Sequence, residues 1–307
     1  MNILVTGGLG LIGHNVVKKL QDQGHVVSIM DTKTNYGIIP QLEIDYLIGH
    51  RIADLDLSGY YNYDITMPGF VDKVMSIEEP EIVIHMASFP RQKVVNANPA
   101  LGSRVMSEGL LNLLESSDKY EVRKFIYISS SMVYGDFKDD VKEDYDCKPQ
   151  GQYGILKLAG EWLVKDYSRR TNLSYTIIRP SAVYGPLDVE DRVISKFILR
   201  AMRGDPLRVN GAGETLDFTF VDDAADGIVA AALSDNTDNK TYNINCVCPP
   251  GSIPRRQNRK LKSFDFTFIT KNILSLNTKN IFPFMQIGIL FMVSVTPSCP
   301  ACVFTAN

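Results

Sequence analysis

Thr6-Gly7-Gly8-Leu9-Gly10-Leu11-Ile12-Gly13 follows the apolar run Asn2-Ile3-Leu4-Val5 and opens an amphipathic segment that stops at Gly24. Strand, glycine turn and helix in that order predict a phosphate-binding βα unit, where glycine spacing alone would fit an ordinary turn. Gly7 permits the tight turn, Gly10 lets backbone N–H groups approach a pyrophosphate, and Gly13 lets the helix pack closely on the strand. Leu11 and Ile12 stand in the first helical turn, whose partial positive charge favours the phosphates.

Working outward, Asp31 closes the next apolar strand, a little under ~20 residues beyond the glycines, where a carboxylate accepts hydrogen bonds from an adenosine ribose. That placement predicts NAD in preference to NADP, since a ribose phosphate would meet the carboxylate's charge. A capping role in a turn is the competing reading of Asp31. Asp64 and Ile65, after the third strand, are expected at the adenine edge, and Ala87, after the fourth, leaves room for the cofactor backbone.

Apolar runs at 2–6, 25–31, 61–64, 81–86, 124–129 and 174–179 predict strands, with helices at 11–23, 68–76, 99–117 and 151–171. Pro68 and Pro99 occupy first-turn positions of their helices. The alternation predicts an α/β chain, a doubly wound, mainly parallel sheet with a smaller C-terminal substrate lobe. Residues 1–180 are expected to form the NAD-binding domain. Residues 181–245 are expected to form a partial substrate lobe, with room for elements that complete the first domain. From 246 to 307 the alternation is lost and seven Lys/Arg stand against one acid, Asp265, so this tail is expected to be divergent or poorly packed.

With 307 residues and a net charge of −3, the chain has a core-forming length and no basic footprint for nucleic acid. The apolar run 284–295 is too short for a bilayer, which needs ~20 residues, so no membrane association is expected. The first strand begins directly after Met1, so no export signal is expected and the cytoplasm is the anticipated compartment. Five cysteines, including Cys246-x-Cys248 and Cys299-x-x-Cys302, lack a partnering His or ribbon pattern; reduced thiols and no metal are expected.

Tyr153-Gly154-Ile155-Leu156-Lys157 puts a phenol and an ammonium on one face of a helix. A cation beside the phenol is expected to draw its pKa down from ~10, making Tyr153 a usable general base. Ser129-Ser130-Ser131-Met132-Val133-Tyr134-Gly135 follows a strand at the carboxyl edge of the sheet, where open α/β sheets bind ligands. Ser130 is the serine expected to share a hydroxyl proton with Tyr153. Taken singly, each motif has a plainer reading, as a solvated helix face or a strand-to-loop turn.

Together they resemble the extended short-chain dehydrogenase/reductases, specifically the NAD-dependent nucleotide-sugar epimerase/dehydratase group. The resemblance runs from Met1 to about Asn245 and includes His85-Met86-Ala87-Ser88, Arg179-Pro180-Ser181-Ala182-Val183-Tyr184-Gly185-Pro186 and Asp217-Phe218-Thr219-Phe220-Val221-Asp222-Asp223. It implies an enzyme that keeps NAD bound, oxidises a sugar carbinol and returns the hydride. Ser130, Tyr153 and Lys157 would be catalytic, Lys157 would also hold the nicotinamide ribose, and Ser131, Ala182 and Arg208 would face the substrate.

The resemblance also bears on subtype. The family's 4,6-dehydratases carry an Asp-Glu pair where Ser131-Met132 stands, and its UDP-glucuronate decarboxylases a Glu at Met132; the triple serine looks most like the 4-epimerases. Three positions depart from the pattern: Met106 and Ala182 replace Asn, and Leu216 replaces the Arg that grips the diphosphate. Arg192 and Arg208 are candidates for that grip. Relatives pair as homodimers through the two long helices, so the same is expected here. A binding protein that holds NAD without turnover, and a reductase or dehydratase of the same family, are the alternative readings.

Overall fold

In the computed structural model, residues 1–34, 36–37, 39–136, 141–207 and 217–245 are described. Period-two alternation sorts the first strand, β1 (Asn2–Thr6), between two apolar layers: Ile3 and Val5 face one, Leu4 the other. On the first face lie helices α1 (Leu11–Asp22) and α9 (Val221–Leu233), through Val16, Val17, Leu20, Ala224 and Ile228. On the second lie α3 (Pro68–Glu78), α6 (Gly109–Lys119) and α7 (Gln152–Arg170), through Val71, Val74, Leu110, Leu113 and Val164. Fully burying each such large aliphatic side chain contributes roughly 1.5–3 kcal/mol.

The remaining strands are β2 (Val26–Met30), β3 (Tyr60–Tyr61), β4 (Ile82–His85), β5 (Lys124–Ile128), β6 (Ser174–Pro180) and β9 (Lys240–Ile244). They join β1 in one sheet of order β3-β2-β1-β4-β5-β6-β9, every described pairing parallel. The order reverses between β1 and β4, so their carboxyl ends, Thr6 and His85, flank the crevice where such sheets take ligands. A second, two-stranded parallel sheet pairs β7 (Ala182–Tyr184) with β8 (Phe218–Phe220), and α8 (Val193–Arg203) lies between them in the chain. The doubly wound fold is thus as expected.

Residues 221–244 lie on the main sheet: α9 covers α1, and β9 hydrogen-bonds β6. A fully buried cation closes this end, since Lys124 Nζ donates to Ala231 O (3.0 Å), Ser234 O (2.6 Å) and Thr237 Oγ1 (2.8 Å). Those acceptors sit at and beyond the carboxyl end of α9, where a helix leaves carbonyls unpaired and favours positive charge.

Some boundaries differ from expectation for local reasons. The third strand is only Tyr60–Tyr61, because the Asp64 carboxylate accepts from Thr66 N (2.8 Å) and turns the chain out of the sheet. The expected helix over 99–117 is three pieces: α5 (Pro99–Ser103), a π-helical turn (Arg104–Glu108) and α6. Its Gly109 backs onto Ile65, whose Cδ1 lies 2.6 Å from where a Cβ would stand. Helices α2 (Gln41–Arg51) and α4 (Gln92–Ala97) complete the described set. The tail 246–307, with Cys246, Cys248, Cys299 and Cys302, lies outside the described residues, as do Arg208 and Leu216.

Candidate active site

The glycine turn works through backbone contact. Gly7 has φ +72° and its N–H donates to Met30 O at 2.9 Å, closing β1 onto β2. A Cβ there would lie 2.6 Å from Ala87 N, and one on Gly13 would lie 2.2 Å from Gly7 O. Both contacts are with backbone, which cannot rotate aside, so each position requires glycine. Gly7, Gly10, Leu11, Ile12 and Gly13 line a cavity of about 530 Å³ at the switch point.

The other expected cofactor residues, Asp31, Asp64, Ile65 and Ala87, line the same cavity. Asp31 holds the turn as well as facing it: Oδ2 accepts from Leu9 N (3.0 Å) and Oδ1 from Lys33 N (2.8 Å). Burial raises its carboxyl pKa, against these bonds and the charges of Arg51 and Lys33. Both readings of Asp31, turn cap and cavity-facing carboxylate, therefore coexist. The glycine cradle and a carboxylate at the end of β2 fit a dinucleotide's pyrophosphate and ribose.

Arg51 is a site residue that the sequence reading did not single out. At the end of α2, it is 6 % exposed and donates to Leu9 O (3.2 Å) and Leu187 O (2.6 Å). It thereby ties the glycine turn to the segment after Pro186. Burial lowers its pKa to about 10, with Asp188 and Asp31 acting in the opposite sense. Its only sequence signal is a charge at the end of an amphipathic helix, which ordinarily marks a solvated face.

Ser130, Ser131, Tyr153, Lys157 and Ala182 line the cavity too, so the three expected catalytic side chains converge on the glycine turn. Tyr153 and Lys157 are one turn apart on α7, the ammonium 5.9 Å from the phenol ring centroid. Ser130 caps the short 3₁₀ helix Ser131–Tyr134 by accepting from Met132 N (3.2 Å), and its hydroxyl acts to lower the pKa of the Tyr153 phenol. Lys157 Nζ donates to Ile128 O at 2.7 Å. Ala182 begins β7 and supplies no polar group at its position.

The electrostatics differ from the sequence expectation. Burial pushes the Tyr153 phenol up, and the groups drawing it down are Ser130 and Arg192. Lys157 is itself lowered to about 7 by burial, against the charge of Glu161. At the phenol its own burial outweighs Ser130 and Arg192, and Lys157 is not among the charges that lower it. Arg192, from the residue before α8, also lines the cavity. Met106 is buried among Val105 and Leu110 within an apolar cluster, so the place where the family pattern has Asn is apolar here. Cys147 is free and partly exposed, and no metal-binding group of His, Cys, Asp or Glu occurs among the described residues. No described helix is long and apolar enough to cross a membrane.

A parallel sheet with a glycine cradle at its switch point, and a Ser/Tyr/Lys trio across the same cavity, defines a dinucleotide-dependent enzyme of the short-chain dehydrogenase/reductase architecture. The profile of the NAD dependent epimerase/dehydratase family matches residues 3–245, and the chain belongs to that family. Its cofactor is NAD. The chain is 31 % identical to a UDP-glucose 4-epimerase from Thermotoga maritima solved with UDP-glucose (TM-score 0.69, covering 80 % of this chain and 77 % of that one). It is 28 % identical to a UDP-glucuronic acid 4-epimerase from Bacillus cereus solved with UDP-glucuronic acid and NAD (TM-score 0.72, 80 % and 77 %). A dTDP-glucose 4,6-dehydratase of Neisseria gonorrhoeae is 30 % identical over 79 % of this chain and 72 % of its own length. The family's nucleotide-sugar chemistry thus spans epimerisation and dehydration.

Proposed function

We propose that this chain epimerises a UDP-sugar at C4 through a keto-sugar intermediate. The observation that carries the reading is the convergence of Ser130, Tyr153 and Lys157 on the cavity that holds the glycine turn. NAD, held by the turn and Asp31, supplies the hydride acceptor and donor. Tyr153 removes the C4 hydroxyl proton and later returns it, Ser130 shares that proton, and Lys157 would hold the nicotinamide ribose of bound NAD and supply positive charge. Ser131 and Ala182 shape the sugar side. Ser131 and Met132, both lining the cavity, carry no carboxyl group, so the acid/base pair that dehydration needs is missing from these positions. Incubation with UDP-glucose, UDP-N-acetylglucosamine and UDP-glucuronate, followed by NMR, tests this. One C4 epimer is expected; retained NAD with three unaltered sugars would favour a binding protein without turnover.

In the same reading Arg192 stabilises a substrate anion, in place of the family Arg whose position is Leu216. Its removal leaves one charge-assisted contact unmade, a loss of about 1.5–3 kcal/mol, or roughly ten- to hundredfold in affinity. Arg192→Leu is therefore expected to weaken UDP-sugar binding by that factor in calorimetry while NAD content stays constant. Unaltered affinity would remove Arg192 from the substrate side.

We read the working unit as a homodimer paired through α5–α6 and α7. The exposed Leu101 (38 %), Ile155 (52 %) and Trp162 (66 %) on these helices support it, because leaving large apolar side chains in water costs free energy that a partner surface recovers. Light scattering is expected to give twice the 34.3 kDa chain mass; a monomer at working concentration would contradict the pairing.

A further inference from the structure

Behind the Tyr153/Lys157 pair, one turn further along α7, lies a carboxylate that the proposed chemistry does not use. Glu161 is completely buried, which is costly for a charge unless its oxygens are paired. They are: Oε1 accepts from Ser129 Oγ (2.6 Å) and Arg179 Nε (2.9 Å), and Oε2 accepts from Arg179 NH2 (2.7 Å). Arg179, on β6, also donates to Tyr134 Oη (2.7 Å) and Glu143 O (3.1 Å). The guanidinium therefore has a fixed position, and the carboxylate is fixed with it.

The same seam between the end of β5 and α7 carries the catalytic contacts. Ile128 O receives Lys157 and Ser129 donates to Glu161, so two consecutive residues meet two consecutive turns of one helix face, and the next residue, Ser130, acts on Tyr153 one turn earlier. The Ser129 contact lies between the other two along the chain, because Ser129 is bonded directly to Ile128 and Ser130. Around Lys157 the titratable or charged groups are Tyr153 and Glu161 from α7, Tyr127 from β5, His85 from β4 and, beyond Glu161, Arg179 from β6. His85 is held neutral by burial, and Glu161 is the charge that acts against burial at Lys157.

Building on the epimerase reading, we propose that Glu161 is a positioning residue of this site. Gripped by Arg179, it stitches the end of β5 to α7 through Ser129 and sets a carboxylate one helical turn from Lys157. A carboxylate in a dry seam does both without touching sugar or cofactor.

Two changes separate the roles. Ser129→Ala removes the stitch and leaves the charge, so kcat is expected to fall about three- to tenfold with KM and the pH profile unmoved. Glu161→Gln/Arg179→Met removes both members of the buried pair, avoiding a stranded charge. Turnover that requires the Lys157 ammonium is lost as pH rises through its pKa; removing Glu161 lowers that pKa, and removing the more remote Arg179 cation offsets part of the change. The alkaline limb of kcat in the NAD-loaded double variant is thus expected to move down by up to about one pH unit, a loss of up to roughly tenfold above it. Titration of Lys157, followed by NMR of isotope-labelled lysine side chains, is expected to move the same way. A folded, NAD-loaded double variant with an unshifted Lys157 titration would overturn the proposal, even if no UDP-sugar is turned over and the epimerase reading has failed. Should the double variant not fold, Ser129→Ala decides, and unaltered kcat overturns the proposal.

Discussion

Replacing Tyr153 by phenylalanine is expected to cut UDP-sugar turnover by about 10²–10⁴-fold, the usual contribution of a positioned general base, or roughly 3–5 kcal/mol of barrier. The loss should fall on kcat. The ring stays, so packing against the buried β5–α7 seam is kept, and the glycine cradle and Asp31 are untouched. NAD released from denatured protein should therefore match the unaltered chain. A variant that turns over at the original rate would show that the phenol moves no proton. One that loses NAD together with turnover would show that Tyr153 acts in binding.

Gly13→Ala has the second large effect, and it acts on the cofactor. The new methyl would stand 2.2 Å from Gly7 O and 2.8 Å from Gly8 Cα, so the turn must open. Overpacking of this kind costs about 1–3 kcal/mol, which lowers NAD affinity roughly five- to 150-fold if the strain falls on the turn. Gly49→Ala is the matched control: Gly49 lies in α2 with nothing near its Cβ direction, and alanine there should stabilise by roughly 0.5–1 kcal/mol. NAD per chain after gel filtration, with thermal unfolding of both variants, distinguishes cofactor loss from a general loss of stability. Full NAD retention in Gly13→Ala would mean that the turn yields more easily than its backbone contacts indicate.

How far the site was legible follows from which residues are neighbours in the chain. The glycine turn and Tyr153-x-x-x-Lys157 are local patterns, and their geometry is fixed by one turn and one helix face, so their spacing read through to the cavity. The strands flanking the switch point were legible because burial on both faces makes them continuous apolar runs. The last strand, Lys240-Thr241-Tyr242-Asn243-Ile244, lies at the sheet edge and is half polar, so nothing in its composition separates it from a loop. The π-helical turn at Arg104–Glu108 was hidden for another reason: its side-chain pattern is that of the α-helix on either side. Arg51 and Glu161 were not legible at all as site residues. Each owes its role to partners 136 and 18 residues away, Leu187 and Arg179, which only the folded sheet brings close. The expected influence of Lys157 on Tyr153 failed similarly, because spacing places the two side by side but says nothing of the burial that raises the phenol.

In an epimerase of this kind, one bound NAD would take a hydride from the sugar carbon and give it back. A UDP-sugar deuterated at C4, incubated with the NAD-loaded protein in ordinary water, tests it directly by NMR of the product. The expected product is an epimer that retains its deuterium at C4, with no label reaching solvent or added cofactor. Deuterium lost to water, or label passed to free NAD, would contradict it.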